Sequence, residues 1–292
     1  MNNITFEFKA IGTQWKIVIF DDISENNKKE VFQKIKDRVE TFEETYSRFR
    51  KTSLITKISQ SSGLYEFPED SLELFSIYRK FFDITSGLVT PLIGQVISDA
   101  GYDASYSFKE KKIFSPLEWD DVLEFNYPYL KVKKPILLDF GAGGKGYIVD
   151  IVSNILKKEG IKKYFVDAGG DISYKTSDSM TLKVGLENPL RLNSVIGVSE
   201  ILNQSIAGSS GNRRKWGRFH HIINPKTLSS PDDIIALWVI GENTFISDML
   251  ATSLFFVSKE ELEEHFKFDY LIIRKDFSFD KSNGFIAEMF IE

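Results

Sequence analysis

Cysteine is missing from all 292 residues. Its absence removes disulfides, thiolate nucleophiles and cysteine metal ligands together, and leaves the redox compartment undecided. Long apolar runs are missing too. No stretch approaches the roughly 18 residues that a membrane-spanning helix requires, so no transmembrane segment is expected. Positive charge is not in excess: 37 Lys and Arg stand against 42 Asp and Glu, a formal net charge of −5. A nucleic-acid partner is therefore not expected, because such proteins carry a basic face; a local basic pocket for a small anion stays open. The start, Met1-Asn2-Asn3-Ile4-Thr5-Phe6, has no basic segment followed by an apolar one and does not read as a secretory signal. As written the chain reads as cytoplasmic, with export after removal of a signal as the alternative.

What is present is ordinary for a soluble globular protein: 42% hydrophobic and 27% charged residues. Twenty-five Phe and eleven Tyr exceed what an average core needs, which leaves rings to stack on a flat ligand. No internal repeat, low-complexity tract or flexible linker interrupts the chain, so residues 1–292 are expected to form a single domain.

Periodicity places the elements. Thr5 to Phe20 has strand alternation broken at Gly12 by a bulge or turn. Val31, Ile35, Val39, Phe42 and Tyr46 fall on one face of a helix from about Ser24 to Tyr46. A second helix is predicted from Asp70 to about Thr85, and short strands within Ser105 to Lys134. Pro135 to Phe140 reads as a buried strand, Tyr147 to Glu159 as a helix closed by Gly160, and Lys163 to Asp167 as another strand. A helix from Ser247 to Val257 precedes a second one whose Ser258 and Glu261 fit a capping box. Strands are predicted from Asp269 to Ile291. The fold class read from this pattern is α+β with one continuous core.

The glycine-rich turn Gly141-Ala142-Gly143-Gly144-Lys145-Gly146 invites several readings. Gly141, Gly143 and Gly146 match the dinucleotide fingerprint, with Asp167 ending the next strand about twenty positions later. Glycines let backbone N–H groups approach a pyrophosphate, and a helix N-terminus adds partial positive charge. A nicotinamide-binding domain would place this unit near the start of a repeated βαβ series, and the preceding 135 residues lack one. A Walker loop fails, since Tyr147 follows the last glycine in place of Lys and Ser or Thr. A kinase reading of Asp139-Phe140-Gly141 fails for want of a His-Arg-Asp loop before it. A tight turn with no ligand stays open, though Lys145 within it needs solvent or a partner.

Other stretches fall in order around this loop. They are Gly12-Thr13-Gln14-Trp15, Tyr46-Ser47-Arg48-Phe49 with Ser53, and Thr85-Ser86-Gly87. Gly169-Gly170-Asp171-Ile172, Ser210-Gly211, His221-Ile222-Ile223-Asn224-Pro225 and Ser247-Asp248-Met249-Leu250-Ala251-Thr252 follow. In this order and spacing, from near residue 10 to near residue 257, the chain resembles the flavin transferase (ApbE) family. The resemblance implies an α+β fold with a mixed sheet and an FAD-binding cleft. It further implies FAD as substrate, Mg²⁺ as cofactor and an acceptor flavoprotein whose Thr or Ser hydroxyl receives FMN as AMP leaves. FAD pyrophosphatase or FAD-binding activity on the same scaffold is the alternative; a nicotinamide-dependent dehydrogenase is a more distant one.

Such a reaction rests on positioning and on neutralising negative charge at phosphorus, usually with a hard cation. Asp248 and Thr252, at i and i+4, would present oxygens from one helix face. By the family pattern the Ala142 carbonyl completes that metal set; Asp248 as a helix cap and Thr252 as a half-buried hydroxyl is the structural alternative. Lys145 suits a phosphate oxygen as a point charge. His221 is selected by its place before Ile-x-Asn-Pro as general base or phosphate-orienting group, so that His221, Asp248 and Lys145 form the catalytic set. His220 should face the other way on a strand. Gly169, Gly170 and Asp171 are expected to form a turn that takes the adenine or ribose side, with a plain turn equally open. Ser210 is assigned to FAD binding, and Tyr46, Ser47, Arg48 and Phe49 to the isoalloxazine pocket, where the structural alternative for Tyr46 and Phe49 is core. Three positions depart from the family pattern: Thr90 in place of Asp, Asn212 in place of an acidic residue and Leu228 in place of Gly.

Overall fold

The computed structural model describes residues 3–191, 193–212 and 214–290. The first strands are β1 (Ile4–Ala10) and β2 (Thr13–Ile19), an antiparallel hairpin that turns at Ile11-Gly12. Helix α1 (Glu25–Tyr46) starts where the Ser24 side chain accepts the Asn27 N–H, and buries the predicted stripe from Val31 to Tyr46. A short helix α2 (Leu54–Ile58), strand β3 (Gly63–Glu66) and helix α3 (Ser71–Ile84) follow. A 3₁₀ turn at Pro91–Ile93 leads into α4 (Gly94–Asp99). Between Ser105 and Lys134 only the helical turn α5 (Trp119–Val122) and the strands β4 (Leu123–Asn126) and β5 (Tyr129–Val132) are regular. β3, β5 and β4 make a small sheet of their own.

Residues 135–140 are not a strand. Their backbone runs between two other elements: the Ile136 N–H donates to the Ile58 carbonyl and the Asp139 N–H to that of Pro91. The run is apolar because it is buried, not because it joins a ladder. It delivers the chain to α6 (Gly144–Lys158), followed by β6 (Tyr164–Ala168) and β7 (Asp171–Lys175). β8 (Leu182–Glu187), β9 (Val195–Ile201), β10 (Ser205–Ser210), the two-residue pair β11 (Lys215–Trp216) and β12 (Phe219–His220), and β13 (Ile234–Gly241) come next. Then α7 (Thr244–Ser253), α8 (Lys259–Glu263), β14 (Asp269–Arg274), β15 (Phe279–Lys281) and β16 (Ala287–Met289) complete the described chain. The predicted strand end at Ile291 lies outside the described residues. α8 carries the full capping box of Ser258 and Glu261.

Eight strands form the main sheet in the order β1-β2-β6-β7-β10-β13-β14-β15, and every pairing in it is antiparallel. A dinucleotide fold of the nicotinamide type needs parallel strands, so the glycine loop here is not part of one. Side chains alternate across β13: Leu237 and Val239 enter the main core with the helices, whereas Ala236, Trp238 and Ile240 enter a second cluster under β16-β9-β8. A third, small cluster holds Val96, Ile97, Tyr102, Phe219 and Ile223. The predicted α+β architecture is observed, with its buried side chains in one main and two lesser clusters.

Candidate active site

Two helices meet at the glycine loop. Gly146 lies in the first turn of α6, and a β-carbon there would sit 2.3 Å from the Thr244 carbonyl and 2.8 Å from the Asp248 β-carbon. The absence of a side chain thus lets α6 and α7 touch through backbone. Asp150, one turn further along α6, accepts the Thr244 and Phe245 N–H groups at 2.9 and 2.8 Å and so caps α7 from outside its own sequence. Burial pushes the Asp150 carboxyl up to about 6.

That contact fixes four groups. Asp248 is buried, and its carboxylate accepts the Gly146 N–H at 3.0 Å and stands 3.5 Å from Lys145 Nζ. Lys145 also pairs closely with Asp171, a fully buried carboxylate on β7. One turn along α7, the Thr252 hydroxyl donates to the Ala142 carbonyl at 3.1 Å. Burial works against the charge on Lys145, but Asp171 and Asp248 outweigh it and hold its pKa above the ordinary value. Asp248 is pushed up to about 7 by burial and by the like charge of Asp171, with Lys145 opposing. Two carboxylates therefore share the Lys145 ammonium.

The loop itself is clamped from below. Tyr78 is buried, and its hydroxyl oxygen accepts the Gly143 N–H at 3.1 Å while its ring stands edge-on to Phe140. Asp139 accepts the Gly141 N–H at 2.6 Å and pairs with the buried Arg48, which also donates to the Tyr102 carbonyl at 2.8 Å. These contacts were not foreseen. Arg48 sits inside a motif chosen for its aromatics, and Asp139 ends a run that looks like a strand.

A cavity of about 180 Å³ opens above these groups. Its wall includes Thr13, Arg48, Phe49, Ala142, Lys145, Gly169, Ser210, Arg214, His221, Asp248 and Thr252. Ligand pockets usually span about 300–1,000 Å³, so this space alone is small for a dinucleotide. A neighbouring cavity of about 440 Å³ shares Gly169, Gly208, Ser209 and Ser210 as a common wall and adds Gly170, Asp167 and Trp238. The Gly169-Gly170 pair turns between β6 and β7 with φ of 71° and 104°, and a β-carbon on Gly169 would fall 1.9 Å from the Thr13 hydroxyl. Only glycine fits there.

The two adjacent histidines separate as a strand requires. His220 is tied on both ring nitrogens: Nδ1 accepts the Ile222 N–H at 3.3 Å and Nε2 donates to the Pro231 carbonyl at 2.8 Å. Burial holds its pKa below the ordinary value, against the Pro231 hydrogen bond. His221 faces the cavity, and its Nδ1 is closed off from solvent without a hydrogen-bond partner. Burial, then the charges of Arg214, His220 and Lys145, hold its pKa well below the ordinary value near 6.5.

Two expected site residues lie elsewhere. Tyr46 belongs to the buried stripe of α1 and donates its hydroxyl to Asp70 at 2.6 Å, away from the cavity wall. Ser47 caps the end of α1, its hydroxyl accepting the Phe49 N–H at 3.3 Å. The other two of that expected group, Arg48 and Phe49, do stand on the cavity wall. Asp171 is not open to a ribose or base, since it is buried against Lys145.

The departures from the family pattern have local explanations. Thr90 caps the 3₁₀ turn, its hydroxyl accepting the Leu92 N–H at 3.2 Å, as an Asp would. Leu228 holds φ at 55°, the left-handed region that glycine enters without strain. Asn212 is exposed, with its amide on the Pro189 carbonyl.

The oxygen set of Asp248, Thr252 and Ala142 suits a hard cation. It offers one carboxylate, one hydroxyl and one carbonyl, as a site shared with substrate phosphates does. Among the described residues no group of three His, Cys, Asp or Glu is placed to hold a metal, which sets the site apart from the zinc type.

Known proteins resemble the chain along most of its length. The FAD:protein FMN transferase of Buchnera aphidicola subsp. Schizaphis graminum is 23% identical over 266 residues, covering 84% of this chain and 77% of that protein. That of Vibrio cholerae serotype O1 is 23% identical over 268 residues, covering 86% and 80%. Among solved structures, flavin transferase ApbE from Vibrio cholerae aligns with a TM-score of 0.79 at 22% identity over 96% of each chain. The ApbE protein from Thermotoga maritima aligns at 0.81 and 19% identity over 97% of each. These structures share the fold. The profile described as the ApbE family matches residues 11–270, and the chain belongs to that family.

Proposed function

We propose that the protein is an FAD:protein FMN transferase, which moves FMN from FAD to a Thr or Ser hydroxyl of an acceptor flavoprotein and releases AMP. The observation that carries the reading is the meeting of Asp248, Thr252 and the Ala142 carbonyl beside Lys145, with a partnerless His221 facing the same cavity. In the reaction the acceptor oxygen forms a bond to the FMN phosphorus. The bond from that phosphorus to the bridging oxygen breaks, and AMP leaves with the electron pair. Asp248, Thr252 and Ala142 would hold Mg²⁺, which supplies charge neutralisation to the phosphate oxygens when bound.

This chain's residues supply the rest. His221 is neutral in the free protein, the form able to accept a proton. A pyrophosphate arriving nearby raises its basicity, because negative charge favours the imidazolium. The imidazole thus takes the acceptor hydroxyl's proton in the complex and not before. Asp171 keeps Lys145 charged and fixed. The second cavity, across Gly169 and Gly208 to Ser210, gives the part of FAD that exceeds the first a place to lie.

Incubation with FAD, Mg²⁺ and a Thr-bearing flavin-acceptor domain tests the proposal. Covalent flavin fluorescence on the acceptor with stoichiometric AMP is expected, and Asp248→Ala should abolish both. Mg²⁺-dependent FMN and AMP without labelling would instead mean a pyrophosphatase.

A further inference from the structure

Charge accounting around the cavity separates its cations. Arg48 is matched to Asp139 and to the Tyr102 carbonyl. Lys145 is shared between Asp171 and Asp248. Arg214 also stands on the cavity wall, yet it has no carboxylate partner among the described residues. Its guanidinium lies over the Tyr102 ring, 5.8 Å from the centroid. On another side it faces the β1–β2 turn, where a β-carbon at Gly12 would come within 3.7 Å of Nη2. Gly12 and Tyr102 therefore seat the guanidinium without neutralising it.

We propose that Arg214, and not Lys145, is the principal residue that binds the pyrophosphate of the dinucleotide. A lysine held by two carboxylates has little charge left to offer a third anion. A guanidinium resting on an aromatic face keeps its planar fork free to bridge oxygens on two adjacent phosphoryl groups. Gly12 itself is set by its left-handed φ of 67° in the β1–β2 turn, since a β-carbon there would meet the fork only in ordinary contact. The assignment rests on the FAD reading only for the identity of the anion. The predicted chemistry of the seat is that of any pyrophosphate.

The test uses the whole protein, inorganic pyrophosphate as probe, and EDTA to exclude divalent cations. Parent, Arg214→Ala and Arg214→Lys proteins are titrated by calorimetry, with unliganded melting temperatures as the control for folding. Arg214→Ala should weaken pyrophosphate about tenfold or more, the range of a lost charge-assisted hydrogen bond. Arg214→Lys should recover part of the loss. Equal affinity in parent and Arg214→Ala, or no binding to the parent, overturns the assignment. So does a tenfold loss in Lys145→Ala with none in Arg214→Ala. A parent protein that binds pyrophosphate through Arg214 but ignores FAD would defeat the substrate proposal and leave the role of Arg214 standing.

Discussion

Two neighbouring histidines show how much a single hydrogen bond decides. His220 and His221 differ by one position, yet one is held on both nitrogens and the other keeps a buried Nδ1 without a partner. Burial and nearby cations depress the His221 pKa. In the unfolded chain the same imidazole takes a proton near pH 6.5, so between that value and the lower folded one the unfolded state binds more protons. The stability it contributes is therefore complete above about pH 6.5 and is lost as pH falls toward the folded pKa, at about 1.4 kcal/mol per unit of depression. NMR titration of the free protein should find His221 still neutral below its ordinary value near 6.5, and His221→Asn should flatten the fall of stability with acid. An imidazole titrating at its ordinary value would show that the ring lies open to water. The sequence singled out His221 only through the motif around it. Arg214 left no mark, because an arginine within Arg213-Arg214-Lys215 looks like a solvated basic run.

At the scale of elements, local signals were readable where local physics decides the outcome. The stripe of α1, the Ser24 cap and the capping box at Ser258 are all encoded within a turn or two. The i, i+4 placement of Asp248 and Thr252 was equally legible, since both lie on α7. Residues 135–140 were not, because an apolar run reports burial and says nothing of hydrogen-bond partners 40 to 80 residues away. Nor could the sequence show that Asp150 on α6 caps α7. The glycines of the loop were visible, but their purpose was not: Gly146 permits helix contact. Gly146→Ala should accordingly cost about 1–3 kcal/mol by overpacking and remove activity by displacing Asp248. Gly160→Ala, at φ 79° with open space around it, should cost about 1 kcal/mol and leave activity intact. Urea unfolding and transfer assays on the pair check this; equal behaviour would mean that the α6–α7 contact gives way easily.

For the molecule as a whole, the site draws on segments far apart in the chain: the β1–β2 turn, the end of α1, the glycine loop, β10, the β11–β12 region and α7. A ligand that bridges them binds the folded state alone. FAD with Mg²⁺ at about a hundredfold excess over its Kd should therefore add about 2.7 kcal/mol of stability, a rise of several degrees in melting temperature. In Asp248→Ala, Mg²⁺ should add nothing to the shift produced by FAD. An unchanged increment would remove Asp248 from the cation set. The all-antiparallel sheet places these segments without any parallel crossover, so the resemblance of the glycine loop to a dinucleotide fingerprint is one of local sequence only.

The backbone contact at Gly146 has a mechanical consequence. Because α6 and α7 touch without intervening side chains and share the Asp150 cap, the ammonium of Lys145 and the oxygens of Asp248 and Thr252 ride on one stiff body. Elsewhere on the wall, Arg214 and His221 flank the short hairpin of β11 and β12, which turns at Gly217 and is anchored by Trp216 Nε1 on the Ala100 carbonyl and by the buried Phe219. A substrate therefore meets this ammonium and these oxygens as an array whose spacing is set before it arrives, while His221 and Arg214 come from the ends of a separate hairpin.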